Sequence, residues 1–183
     1  MAYQSYYWRQ IIKKELGKLQ KTLTYSHKEV DIDLDKHYSH LEIEIMTLAY
    51  VVRKLAHTGK LPDKTMGLKI KAVTYPPLED CGTRWMVDIE KEYDLGVDGV
   101  KVNIELWDMC NQIIHSHILE PEGSYRRAFK YLYFVSDKKK KGGINKIVVA
   151  DFIKLIKVVA DSEVRELRSE YDEKEQKWKV TRN

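Results

Sequence analysis

Five apolar residues, Leu41, Ile45, Leu48, Val52 and Leu55, recur at alternating spacings of four and three. That is the period of a single helix face. It predicts a helix from Lys36 to Thr58 around which the rest of the chain must pack. Gly59 follows where a left-handed cap is expected, and Pro62 stops any continuation. A second helix is predicted from Tyr7 to Leu23, with Trp8, Ile12, Leu16 and Leu19 inward. Arg9, Lys13, Lys14, Lys18 and Lys21 fill its other faces. A basic amphipathic helix can lie on a membrane or on nucleic acid. It can equally be a bundle helix with a solvated lysine face.

Other segments alternate with the period of a strand. KIKAVTY (69–75) does so and is closed by Pro76 and Pro77. RWMVDIEKEYDL (84–95) alternates again, and 97–100 (Val-Asp-Gly-Val) is a turn candidate. Residues 24–36 read as a loop or short strand. A further helix is expected from Asn103, a good N-cap, to just before Pro121, with Ile104, Trp107, Ile114 and Ile118 inward. In the last third, FKYLYFVSD and INKIVVA flank KKKKGG and read as a hairpin. DFIKLIKVVAD follows as a helix with Phe152, Leu155, Ile156 and Val159 on one side. SEVRELRSEY and QKWKVTRN are two more extended segments around DEKEQ. The fold class is α+β. Residues 1–124 form a helical, bundle-like part with extended segments, and 125–183 a smaller basic ββαββ element.

Charge follows a similar division. Residues 1–28 carry 6 basic and 1 acidic residue, 29–124 carry 10 and 18, and 125–183 carry 16 and 9. A phosphate-bearing partner would meet the ends before the middle. The most apolar stretch, Ile45 to Val52, is far short of the ~20 residues of a membrane helix. The N-terminus lacks a basic-then-apolar signal pattern. A cytoplasmic location with no membrane contact is expected, with Cys81 and Cys110 as free thiols. No dinucleotide, Walker, serine-hydrolase or zinc-protease motif is present.

The segment Cys110-Asn111-Gln112-Ile113-Ile114-His115-Ser116-His117 carries the functional argument. Asn111 and His115 are four apart, so on a helix they share one face, with Asp108 on that side and the apolar stripe a quarter-turn away. This segment resembles the signature of HEPN domains, small helical-bundle proteins, many of which are metal-independent RNases of bacterial defence and toxin systems. The family pattern is Arg, often Asn, three residues, His, one residue and frequently Tyr. Asn111 and His115 match it. Cys110 stands in place of the Arg and His117 in place of the Tyr.

The resemblance implies metal-independent RNA cleavage with no cofactor, RNA as partner, and a homodimer that sets two motifs across a two-fold axis. In such chemistry His115 would act as base or acid. A guanidinium would stabilise the phosphorane and grip phosphate. Cys110 can do neither. Arg53, near the end of the long helix, is the candidate substitute cation. With Lys54 and His57 it is also sound helix C-terminal dipole chemistry. Asn111 and His115 could likewise be a structural hydrogen-bonding pair.

Lys138, Lys139, Lys140 and Lys141, beside Tyr131, Tyr133 and Phe134, suggest a nucleic-acid grip, or a solvated tip whose lysines block edge pairing. His37 and His40 with Asp33 and Asp35 have spacing that permits a metal, but no second ligand pair supports one, and no metal is expected. The alternative to a ribonuclease is a non-catalytic adaptor, immunity or nucleic-acid-binding protein that uses its basic ends and has a protein partner.

Overall fold

The computed structural model describes residues 2–24, 34–79, 81, 88–122 and 129–183. Two long helices open the chain, α1 (Ala2–Thr24) and α2 (Leu34–His57). Ile12, Leu16 and Leu19 of α1 meet Leu41, Ile45, Leu48, Val52 and Leu55 of α2 in one buried cluster. Each large aliphatic side chain buried this way contributes about 1.5–3 kcal/mol. Helix α2 ends as its sequence demands. Lys60 N donates to Leu55 O at 2.9 Å and Gly59 N to Ala56 O at 3.0 Å. This is the paired closure that needs a left-handed residue, and Gly59 supplies it with φ of 66°.

After a short turn of helix, α3 (Asp63–Met66), comes β1 (Lys69–Tyr75). A helical turn, α4 (Ile89–Glu92), precedes β2 (Val100–Glu105), α5 (Leu106–Ile114) and β3 (Ser116–Glu122). Then follow β4 (Tyr131–Ser136), β5 (Ile144–Val148) and α6 (Val149–Asp161). Last come β6 (Leu167–Asp172) and β7 (Lys177–Arg182). Strands β2-β1-β5-β4-β3 form one antiparallel sheet, and β6-β7 a separate hairpin. The fold class is α+β, and no helix among the described residues is long and apolar enough to cross a membrane.

Alternation along the strands sorts side chains to two faces. Ile70, Ala72, Ile104, Leu132, Phe134 and Ile147 join α1, α2, α5 and α6 in the main core. On the other face, Ile118, Tyr133, Val135 and Ile144 are covered at one end by Cys81, Ile89 and Tyr93. The change of character near residue 124 is one of charge and composition. In the fold, β5 of the C-terminal segment pairs with both β1 and β4. Both segments therefore contribute to the same sheet and core. Arg9, buried on α1, ties the ends together by donating to Ser162 O at 2.9 Å.

Several expectations need correction. Asn103 is not an N-cap: it lies in β2, paired with Lys71, and Glu105 stands before the helix. Helix α5 does not run to Pro121. It stops at Ile114, and Ser116–Glu122 is a strand. The backbone of 116–122 is claimed by β4, a long-range pairing that outweighs the local helical period. Consequently Ile104 and Ile118 are buried from strands, on opposite faces of the sheet. Within RWMVDIEKEYDL, Ile89–Glu92 is helical, N-capped by Asp88, whose carboxylate accepts from Glu90 N. Residues 84–87 of that segment, and 25–33 of the loop or strand expected after α1, lie outside the described residues.

Candidate functional site

Helix α5 carries the chain from the edge strand β2 to the opposite edge strand β3. Its C-terminal end therefore arrives beside the end of β4 and the β4–β5 turn. His115 is the residue at that junction, with φ of −108° and ψ of 32°. Its N–H donates to Asn111 O at 3.1 Å, and its carbonyl accepts from Asp137 N at 3.2 Å. The lysine turn is thereby tethered next to the imidazole. The packing of α2 on α5 brings in Arg53. Its Nη1 stands 3.2 Å from His115 Nε2, and its guanidinium carbon lies 5.6 Å from the Trp107 ring centroid.

Arg53 and His115 line one cleft of 690 Å³, together with Asp108, Asn111, Asp137, Lys138 and Lys139. The sequence-predicted candidates Arg53, Asn111, His115, Lys138 and Lys139 thus come together. Lys140 and Lys141 do not: Lys140 Nζ is 2.9 Å from Asp137 Oδ1, and Lys141 is exposed outside the cleft lining. The aromatic neighbours expected beside the tip are elsewhere. Phe134 is buried in the main core and Tyr133 in the smaller one. Tyr131 begins β4, about 17 Å of strand from its other end.

A guanidinium has only donors, so in the Arg53–His115 contact Nε2 accepts and Nδ1 carries the ring proton. His115 is exposed, while Trp107 and Ile114 are half-buried beside it. The imidazole is reachable from solvent. Cys110 is fully buried and its thiol is pushed up to about 12 by burial, against a smaller opposing effect of Arg53. It stays a neutral core side chain beneath the site. Asn111 Oδ1 is buried without a hydrogen-bond partner among the described residues.

One arrangement escaped sequence reasoning. Lys139 Nζ donates to both oxygens of Asp108 at 2.7 and 2.8 Å. Gln112 Nε2 donates to Asp108 Oδ2 at 3.0 Å, and Asn145 Nδ2 to Gln112 Oε1 at 3.0 Å. Thr74 Oγ1 completes the line at 2.8 Å from Asn145 Oδ1. This chain crosses from β1 through β5 to α5 and fixes the cation that borders the cleft. The only sequence signal was Asp108 and Gln112 at four-residue spacing on one helix. Asn145 and Thr74 reach it only through strand pairing.

Gly143 ends the β4–β5 turn beside this line and borders a neighbouring hollow with Asp108, Gln112, Lys139 and Asn145. Its φ is 109°, and a Cβ there would meet Tyr75 O at 2.5 Å. The weaker histidine candidates behave differently. His37 stacks on Phe129 with centroids 5.8 Å apart, while the side chains of Asp33 and Asp35 lie outside the described residues. Among the described residues no group of three or more His, Cys, Asp or Glu side chains could hold a metal ion. Comparison of the chain with protein-family models, curated proteins and solved structures finds no match.

Proposed function

We propose that the cleft binds the phosphate backbone of RNA and cleaves it without a metal. Arg53 takes the place of the arginine that the HEPN resemblance would put at Cys110. The observation that carries this reading is the Arg53–His115 contact at 3.2 Å in a cleft bordered by Lys138 and Lys139.

An incoming phosphate competes for the guanidinium, which binds phosphate more strongly than a neutral imidazole. Arg53 then turns to the phosphate and frees the His115 Nε2 lone pair. That nitrogen accepts the 2′-hydroxyl proton as the 2′ oxygen attacks phosphorus. Arg53 stabilises the charge gathering on the non-bridging oxygens. The 5′ oxygen leaves with a proton from solvent, and a 2′,3′-cyclic phosphate remains.

The test is digestion of end-labelled RNA in EDTA by the wild-type, Arg53→Ala and His115→Ala chains. Cleavage by the wild type alone, ending in cyclic phosphate, supports the reading. Equal decay in all three, or in none, overturns it. Binding without cleavage is the second reading. It is favoured because, among the described residues, His115 is the one imidazole lining this cleft, and none of them offers a second group of the same chemistry to the leaving oxygen. Retention of non-cleavable 2′-O-methyl RNA with no digestion of ordinary RNA would select it. Sedimentation reads whether the chain forms the homodimer that the resemblance implies.

A further inference from the structure

The sheet face turned away from α1, α2, α5 and α6 is separate from the cleft. At one end it is covered by Cys81, Ile89 and Tyr93. Over β2, β1, β5 and the start of β4 it forms a 670 Å³ hollow. Its floor includes Val73 and Val148, and its walls include Lys71, Lys101, Tyr131 and Lys146. The registers place these side chains in rows. Val73 pairs with Lys101 on one side and Lys146 on the other, and Lys146 pairs with Tyr133. Lys71 pairs with Asn103, which makes Lys71 and Lys101 diagonal neighbours, ~7–8 Å apart at the backbone.

The charges on this face are unequally compensated. Lys146 Nζ lies 2.5 Å from Glu122 Oε2 and 4.2 Å from the Tyr131 ring centroid. At the margins, Lys69 pairs with Glu105 and Asp151 with Lys154. Lys71 and Lys101 are exposed and have no acidic partner among the described residues. Two uncompensated cations thus stand over an apolar floor, flanked by Tyr131 and Tyr75, with Asn103 on the edge strand opposite Lys71.

We propose that this face is a second binding site, for single-stranded nucleic acid. Lys71 and Lys101 take phosphates, and Tyr131 takes a base face. Lys146 is drawn from the Tyr131 ring to a neighbouring phosphate as the base enters. Unpaired bases offer flat apolar faces to aromatic side chains, and a lysine-lined groove follows the backbone without regard to sequence. A duplex keeps its base faces stacked inside and cannot make the tyrosine contact. The site does not depend on whether the cleft cleaves RNA.

The experiment uses the full chain carrying Arg53→Ala and His115→Ala, so that the cleft is disabled throughout. The probe is a fluorescent single-stranded 2′-O-methyl oligonucleotide, with the corresponding duplex as comparison. Adding Lys71→Glu and Lys101→Glu is expected to weaken binding about tenfold or more, and to lower the log–log salt slope by about 1.4. Tyr131→Leu is expected to weaken it about 5- to 150-fold. Lys14→Glu with Lys157→Glu makes the same charge change on α1 and α6, on the helical side of the sheet, and should leave the slope unchanged. Wild-type affinity in the Lys71/Lys101 variant overturns the proposal. So does an equal loss in the Lys14/Lys157 control, or equal affinity for the duplex. Circular dichroism melts confirm that each variant is folded.

Discussion

Arg53 and His115 are 62 positions apart in sequence, yet Arg53 Nη1 is 3.2 Å from His115 Nε2. The contact joins the C-terminal part of α2 to the residue that ends α5. Removing the guanidinium withdraws a cation from an exposed cleft and leaves the core untouched. Arg53→Ala is therefore expected to lower RNA cleavage about a hundred- to a thousand-fold. The denaturation midpoint should barely move. Initial rates in EDTA and a urea melt on the same sample check the two halves of this expectation.

Motif logic would restore activity by placing arginine at 110. The structure argues the reverse. Cys110 is 0% exposed, among Met109, Ile113 and the α2 side chains. A guanidinium there would be overpacked and buried without a carboxylate, a cost of about 3–5 kcal/mol or more. Cys110→Arg is expected to be insoluble or unfolded in the absence of denaturant. Cys110→Ala should fold, with a midpoint lowered by the lost packing alone. Expression and urea titration distinguish them.

The same thiol gives a pH dependence. Its folded-state value is raised to about 12 from an ordinary value of 9.0 because burial disfavours the thiolate. A raised value means that the folded state holds the proton more tightly than the unfolded one. The stabilisation is complete below pH 9 and is lost progressively as pH rises from 9 to 12. The wild-type chain should lose stability over that range more steeply than Cys110→Ala. At pH 8 a thiol reagent should react with Cys110 only as fast as the chain opens. Denaturation midpoints across pH and labelling rates provide the readings.

Gln112 is 3% exposed and bonds Asp108 at one end and Asn145 at the other. Gln112→Ala leaves Asn145 Nδ2 buried without an acceptor. A loss of about 1–3 kcal/mol is expected, read as a lower urea midpoint at unchanged slope. Lys139 then loses part of its fixed geometry, so binding at the cleft should weaken as well.

Gly143→Ala tests the β4–β5 turn. The substitution meets both a positive φ and the Tyr75 carbonyl. About 1–3 kcal/mol of strain is expected, and the β4–β5 turn should shift. Amide exchange at Ser136 to Lys139 would report that shift directly.

Local signals carried much of this architecture. The α2 stripe with Gly59, the alternation of 69–75, and the Phe152-Leu155-Ile156-Val159 face of α6 all lie in the sequence. So do the strands around KKKKGG and DEKEQ. The failures cluster where distant pairing decides. Ile113, Ile114 and Ile118 fit a helical period, and only β4 makes 116–122 extended. Asn103 has the chemistry of a helix cap but sits opposite Lys71 in a ladder. In the cleft, Asn111 and His115 were visible as one turn, and Arg53 as a cation at a helix end. The Lys139-to-Thr74 line was not, because its five members come from four elements.

Strand β5 is the middle of the five-stranded sheet, with β2-β1 on one side and β4-β3 on the other. Synthesis runs from the N-terminus, so a ribosome that has released residues 1–124 has exposed β1, β2 and β3 without β4 and β5, the two strands that join them. The nascent chain must keep two open edges until residue 148 emerges. During that interval α1 and α2 can bury their apolar faces on each other, while the core face of the sheet stays open. The growing polypeptide should therefore be open to chaperone capture until β5 has emerged, and a fragment of residues 1–124 should aggregate.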